Sequence, residues 1–285
     1  MEPELERIRE QQRESWNRFS PGWKKWDKLT MKFMLPMGRE MIRVLNLKKD
    51  DQVLDVASGT GEPGLTIAGI VNPGRVMLTD LSEGMLKIAA EHAALREIRN
   101  VETQVCDVSA LPFRDYTFDA VSCRFGFMFF PDMLLAAREM LRVLKPEGKL
   151  AAAVWDVPEK NLWITAITEV IQKHMNLPPP EPGAPGMFRC AQDGVMIKIL
   201  CDAGFRNVAV GRIAGKLQVH TTEIYWTMMN EIAAPIVAAI SQADPDLQAR
   251  IKAEVFQKVQ ERYPEGAVEI DSSALIVYAE KERFE

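Results

Sequence analysis

Three aspartates, Asp55, Asp80 and Asp107, stand near the ends of short strand-like runs, and Gly59-Thr60-Gly61-Glu62-Pro63-Gly64 lies between the first two. A carboxylate so placed can accept hydrogen bonds from the hydroxyls or amines of a ligand. Gln52-Val53-Leu54-Asp55-Val56-Ala57 is mostly apolar, short and bounded by turn residues, which predicts a buried strand. Gly64-Leu65-Thr66-Ile67-Ala68 predicts a helix start, with Pro63 or Gly64 in its first turn. A strand, a glycine turn and a helix bring backbone close to a ligand. The glycines remove the Cβ atoms that would hold it off, and the helix N-terminus offers free N–H groups.

Two enzyme classes use this device. The hexapeptide matches G-x-G-x-x-G, the dinucleotide fingerprint, and Asp80 follows at about its 20-residue offset. Asp55 points elsewhere, because a pyrophosphate is repelled by a neighbouring carboxylate while a sulfonium or ammonium is not. Val53-Leu54-Asp55-Val56-Ala57-Ser58-Gly59-Thr60-Gly61 resembles motif I of the class I S-adenosylmethionine (SAM) methyltransferases. The resemblance implies that Asp55, Ala57, Gly59, Thr60 and Gly61 hold the methionine end of SAM. An NAD(P)-dependent oxidoreductase on the same turn stays open as an alternative, as does a SAM-binding protein without transferase activity.

Residues 75–80 predict a second strand ending in Asp80, and Ser82 is a good N-cap for a helix over 83–98. Either reading gives Asp80 to the vicinal ribose hydroxyls, with Leu81 and Met85 against the adenine. Residues 101–108 predict a third strand. Cys106-Asp107-Val108, leading into Ser109-Ala110-Leu111-Pro112-Phe113, resembles the methyltransferase segment whose acid accepts from the adenine amine. Residues 118–123 predict a fourth strand. Ligands of open α/β sheets sit at the carboxyl ends of strands, so Cys123, Arg124 and Phe125 are expected beside the cofactor, facing the methyl acceptor. Arg124 suits the SAM carboxylate, an acidic acceptor, or a surface salt bridge.

The elements that position these groups follow from periodicity. Leu5, Ile8, Gln12 and Trp16 mark a surface helix over residues 1–18, followed by a turn at 19–26 and a helix over 29–46 interrupted around Pro36. In the methyltransferase reading these form a lid. Pro131 opens a helix to Leu144, and a fifth strand follows over 149–155. Beyond it lie a helix over 161–176, a proline-rich loop over 177–185, a helix over 192–203 and a sixth strand over 205–210. Two inserted helices are expected over 222–240, broken at Pro235, and over 245–263, with a last strand over 274–279. The landmarks over 45–155 and 202–210 resemble the UbiE-like branch, which includes C-methyltransferases of ubiquinone and menaquinone synthesis. That implies an α/β, Rossmann-like seven-stranded sheet whose last strand runs antiparallel between the fifth and sixth. The expected organisation is one methyltransferase domain over 1–285. Its parts are a lid (1–46), a SAM-binding core (47–156), helical acceptor-side segments (157–203 and 220–264), and the last strand with its tail (265–285).

All six tryptophans lie outside residues 51–148. Trp16, Trp23, Trp26, Trp155, Trp163 and Trp226, with Phe125, Phe127 and Met128, are expected to line an apolar cavity for a planar or lipophilic acceptor, though such residues also serve as plain packing. Methyl transfer is an in-line displacement that needs alignment, exclusion of water and sometimes a base. His220, after the sixth strand, is the best-placed base. His92 is expected to face solvent, and His174 lies near the end of an inserted helix. A formal charge of −5 gives no global attraction to nucleic acid. Four cysteines without a C-x-x-C pair and only three histidines suggest neither a disulfide framework nor a metal site. No stretch approaches the ~18 apolar residues of a bilayer span, and the charged N-terminus does not read as a signal peptide, so a cytoplasmic enzyme acting on a small molecule is expected.

Overall fold

A computed structural model describes residues 2–177, 183–264 and 268–283. Of the expected proline-rich loop, residues 178–182 lie outside the described residues.

Seven strands form one sheet: β1 (Gln52–Val56), β2 (Arg75–Asp80), β3 (Val101–Val105), β4 (Phe118–Arg124), β5 (Leu144–Trp155), β6 (Arg206–Val219) and β7 (Val268–Glu280), in the order β3-β2-β1-β4-β5-β7-β6. The first five are parallel, and β7 runs antiparallel to both β5 and β6, as expected. Helices cover the sheet on both faces, so β1, β4 and the second half of β5 read as almost continuous buried runs. The edge strand β3 is different. Residues 102–105 are exposed, so the alternation of Val101, Thr103 and Val105 does not mark a core face. The strand order reverses between β1 and β4, where an open α/β sheet has its crevice.

The N-terminal region departs from expectation. α1 (Glu2–Lys25) passes straight through the predicted turn, with Pro21 inside it. Proline leaves the carbonyl four residues back without its usual partner. Here the Ser20 hydroxyl donates to that carbonyl, Asn17, at 2.9 Å. α2 (Asp27–Leu45) likewise continues through Pro36. Its residues Phe33, Met37, Met41 and Leu45 are buried at four-residue spacing against the sheet. α3 (Gly64–Ile70) follows the glycine turn, and α4 (Glu83–Leu95) is capped by Ser82 as expected, its hydroxyl accepting from the Met85 N–H at 3.1 Å. α5 (Met133–Val143) is capped by Asp132.

The remaining helices are α6 (Leu162–Met175), α7 (Val195–Ala203), α8 (Thr222–Ile232), α9 (Ala234–Ile240) and α10 (Pro245–Arg262). The break between α8 and α9 falls at Ala233, and Pro235 sits in the first turn of α9, where its missing N–H costs nothing. Ile251, Val255 and Val259 of α10 are buried in the predicted register. β6 and β7 are much longer than expected. They pair from Arg206↔Glu280 to Val219↔Val268, and β6 carries its exposed face along most of its length.

Close packing fixes the turn before α3. A Cβ at Gly64 would meet Leu78 Cδ2 at 2.3 Å and Asp55 Oδ2 at 2.8 Å. Gly64→Ala is therefore expected to destabilise the fold by about 1–3 kcal/mol, read as a lowered urea midpoint.

Candidate active site

A cavity of about 300 Å³ opens at the carboxyl ends of β1, β2, β3 and β4, roofed by α1 and the start of α2. One end is lined by Asp80, Leu81, Met85, Cys106, Asp107 and Val108. Ala57, Ser58, Gly59, Thr60, Glu62 and Arg124 line the middle, and Phe33, Phe125, Trp155 and Trp163 the other end. A second hollow, lined by Thr221, Glu223, Phe256 and Tyr263, includes none of the three aspartates.

The strand-end acids are held in different ways. Asp80 accepts from the Gly59 N–H at 2.9 Å and the Ser82 N–H at 2.8 Å. Burial pushes its pKa up, and these N–H groups oppose the shift. Each carboxylate oxygen keeps a further lone pair for a ligand. Asp107 accepts from the Ser109 N–H at 2.9 Å and is ion-paired with Arg9 of α1. Asp55 is fully buried and does not line the cavity. It accepts from the Ser122 hydroxyl at 2.5 Å and from the Gly64 N–H at 3.0 Å, capping α3 from inside the sheet. The geometry thus corrects the expectation that Asp55 touches the ligand.

Backbone conformation turns the chain at the crevice. Ala57 and Phe125, the residues after β1 and β4, have φ of 52° and 62°. Such values cost a non-glycine residue about 1–3 kcal/mol and cluster at functional sites. Gly126 could not carry a side chain, since its Cβ would lie 2.7 Å from that of Ala57 and 2.8 Å from Cys123 Sγ.

α1 lies across the mouth. Asn17 Oδ1 accepts from the Ser82 hydroxyl at 2.8 Å and the Gly84 N–H at 2.9 Å, and Lys24 pairs with Glu91 at 2.5 Å. Asp27, at the start of α2, accepts from the Thr60 hydroxyl at 3.2 Å. At the far end Phe125 stacks on Trp155 with centroids 4.0 Å apart. Trp163 and Phe33 pack against Trp155 at 4.8 Å and 5.7 Å.

Of the expected cofactor residues, Ala57, Gly59, Thr60, Asp80, Leu81, Met85, Cys106, Asp107, Val108, Arg124 and Phe125 come together around this cavity, whereas Asp55, Gly61 and Cys123 stand behind it. Cys123 is fully buried among apolar groups. Of the expected acceptor residues, Trp23 and Trp155 line the cavity. Phe127 and Met128 are fully buried in the core, Trp26 donates to Glu231 at 2.7 Å, and Trp226 is packed against the core outside the lining. His220 is exposed directly after β6, which runs nine residues past the predicted strand end, and it does not reach the cavity. His92 is not solvent-facing: its Nδ1 lies 3.0 Å from the Thr60 carbonyl oxygen. His174 pairs with Glu254 at 2.7 Å.

Two more of the expected tryptophans, Trp16 and Trp163, line the cavity, as do Phe33 and Phe129, which the sequence does not single out. The four-residue spacing from Phe33 to Leu45 was the available signal, because its first turn overhangs the strand ends.

Asp55 makes stability pH-dependent. Burial raises its pKa from 3.8 to about 7, against the Ser122 hydrogen bond. Unfolding between those values releases a proton, so the Asp55 contribution is full at low pH and is lost as pH rises through about 7. Asp55→Asn is expected to flatten this trend, with urea midpoints at about pH 5 and about pH 8 differing less than in the parent chain.

Comparison with known proteins agrees with this geometry. Residues 53–148 match the family described as Methyltransferase domain. A demethylmenaquinone methyltransferase of Listeria monocytogenes is 35% identical over 136 residues, covering 47% of this chain and 57% of that protein. One of Bacillus cytotoxicus is 36% identical over 113 residues, covering 39% and 48%. The chain therefore spans about half the length of the curated relatives it matches. The fold is shared with a putative methyltransferase of Bacillus halodurans, at a TM-score of 0.56 and 21% identity over 86% of this chain and 98% of that one. The strand order with β7 reversed between β5 and β6, the glycine turn after β1, and these matches together make residues 53–148 similar to the methyltransferase domain of UbiE-like class I SAM-dependent methyltransferases.

Proposed function

We propose that the chain transfers the methyl group of SAM to a small hydrophobic or aromatic acceptor by in-line displacement at the methyl carbon. One observation carries the reading: a single cavity has two strand-end carboxylates at one end and a stacked aromatic group at the other. In this reading Asp80 takes the ribose hydroxyls, Asp107 the adenine amine, and the turn from Ala57 to Thr60 the methionine end. When bound, SAM supplies an activated methyl group on a sulfonium leaving group. The chain's part is to hold the two reactants in line and keep water out, and this alone accounts for large rate factors.

The slab of Phe33, Phe125, Trp155 and Trp163 suits a flat ring. The names of the curated relatives point the same way, to a quinol-like acceptor. The helices α8, α9 and α10 inserted before β7 favour a more specialised one. A cytoplasmic site of action belongs to this reading, supported by four free thiols. The nicotinamide alternative loses ground. The third acid, Asp107, and the reversed β7 belong to the methyltransferase pattern, although Asp55, turned away from the cavity, no longer argues against a pyrophosphate.

Asp80→Ala is expected to weaken S-adenosylhomocysteine at least about tenfold by calorimetry, since two hydrogen bonds to a charged acceptor are lost. Unchanged affinity contradicts the assignment. With methyl-labelled SAM and a metabolite extract of the source organism, label is expected in the organic phase. Label confined to water-soluble product contradicts an aromatic acceptor.

A further inference from the structure

The proton balance of the cavity is unusual for an enzyme that methylates a protonated acceptor. Among the described residues that line it there is no histidine, lysine or tyrosine. Its three carboxylates already hold partners. Glu62 takes Arg96 together with the N–H and hydroxyl of Thr66; Asp80 takes the Gly59 and Ser82 N–H groups; Asp107 takes Ser109 and Arg9. The one lining thiol, Cys106, is pushed up to about 12, first by burial and then by Asp107.

Donors, in contrast, stand uncommitted. The indole Nε1 of Trp23 is buried without a hydrogen-bond acceptor, and so is the Ser58 hydroxyl. Both residues line the cavity. The Arg124 guanidinium has no described carboxylate within 4.0 Å, and its one hydrogen-bond contact is the Met31 sulfur at 3.4 Å. Glu62, Asp55 and Asp27 attract it only from farther away. An unpaired buried N–H and a desolvated cation are both costly, and a bound anion relieves whichever of them it meets.

We propose that the methyl acceptor enters as a preformed oxyanion, such as a phenolate, and that this chain supplies donors to it and no base. The inference rests on the methyl-transfer reading above. The acceptor's proton is left in solvent before binding. In the step itself a lone pair of the oxyanion forms the bond to the SAM methyl carbon, the S–CH3 bond breaks, and its electron pair stays on sulfur. The sulfonium becomes a neutral sulfide as the oxyanion becomes a neutral ether, and no proton moves. Trp23 and Arg124 are then specificity-determining residues that select the ionised acceptor.

The probe is para-nitrophenol, whose coloured anion reports its own ionisation, titrated with pH against the protein saturated with S-adenosylhomocysteine. Arg9, Glu62, Asp80, Cys106, Asp107 and Arg124 are the ionisable groups facing it from the lining, with Asp27 and Asp55 behind Arg124. The bound phenol is expected to ionise at least about one pH unit lower than the free one, an approximately tenfold preference for the anion. Trp23→Phe, which keeps a ring and removes the N–H, and Arg124→Met are each expected to shrink that preference several-fold. Arg124→Lys should restore part of it. That all three fold is read from circular dichroism and the urea midpoint, and affinity for S-adenosylhomocysteine should stay unchanged in Trp23→Phe. A phenol bound in its neutral form overturns the proposal, as does no binding to the loaded protein. Loss of S-adenosylhomocysteine affinity in Arg124→Met overturns it too, by giving that guanidinium to the cofactor. If the parent chain does not bind S-adenosylhomocysteine at all, the failure lies in the methyl-transfer reading itself.

Discussion

A carboxylate sealed inside the sheet sets the geometry on which the site depends. Asp55 joins β1 to β4 through Ser122, and joins β1 to α3 through the first N–H of that helix. Its desolvation is expensive, and the two hydrogen bonds only partly offset it, which is why its pKa rises. In return the glycine turn is pinned at both ends. The Gly59 N–H is then free to point at Asp80, on the neighbouring strand, at 2.9 Å. The acid that lines the cavity is thus positioned by a turn that a different, hidden acid holds in place.

The roof is tied down by polar contacts rather than by a large apolar face. α1 is held to α4 through Asn17 and Lys24, and to the β3 end through Arg9 and Asp107. Exposed and half-exposed pairs of this kind are individually weak. α2 is different: its four-residue stripe is part of the core and fixes the aromatic end through Phe33.

Much of this was legible in the chain, for local reasons. Asp80, Asp107 and the glycine turn were readable because strand ends, turn residues and caps carry their signal within a few neighbours. The sheet order, with β7 reversed, came from resemblance rather than from any local pattern. Other features were set at long range. Asp55 looked like a ligand contact because its sequence position cannot reveal that Ser122, 67 residues away, claims it. Pro21 and Gly22 looked like a turn because the rescue of the Asn17 carbonyl depends on Ser20 and on packing of the whole helix. The sequence places His220 well only if β6 ends at residue 210. Its continuation to Val219 along β7 moves the histidine to an exposed corner.

The most direct test of the account compares two ligands on the intact chain by isothermal titration calorimetry, S-adenosylhomocysteine and NADH. The proposed placement of an adenosine against Asp80 and Asp107 predicts saturable one-to-one binding of S-adenosylhomocysteine and none of NADH. Binding of NADH without S-adenosylhomocysteine would contradict the account at its centre and return the glycine turn to dinucleotide chemistry.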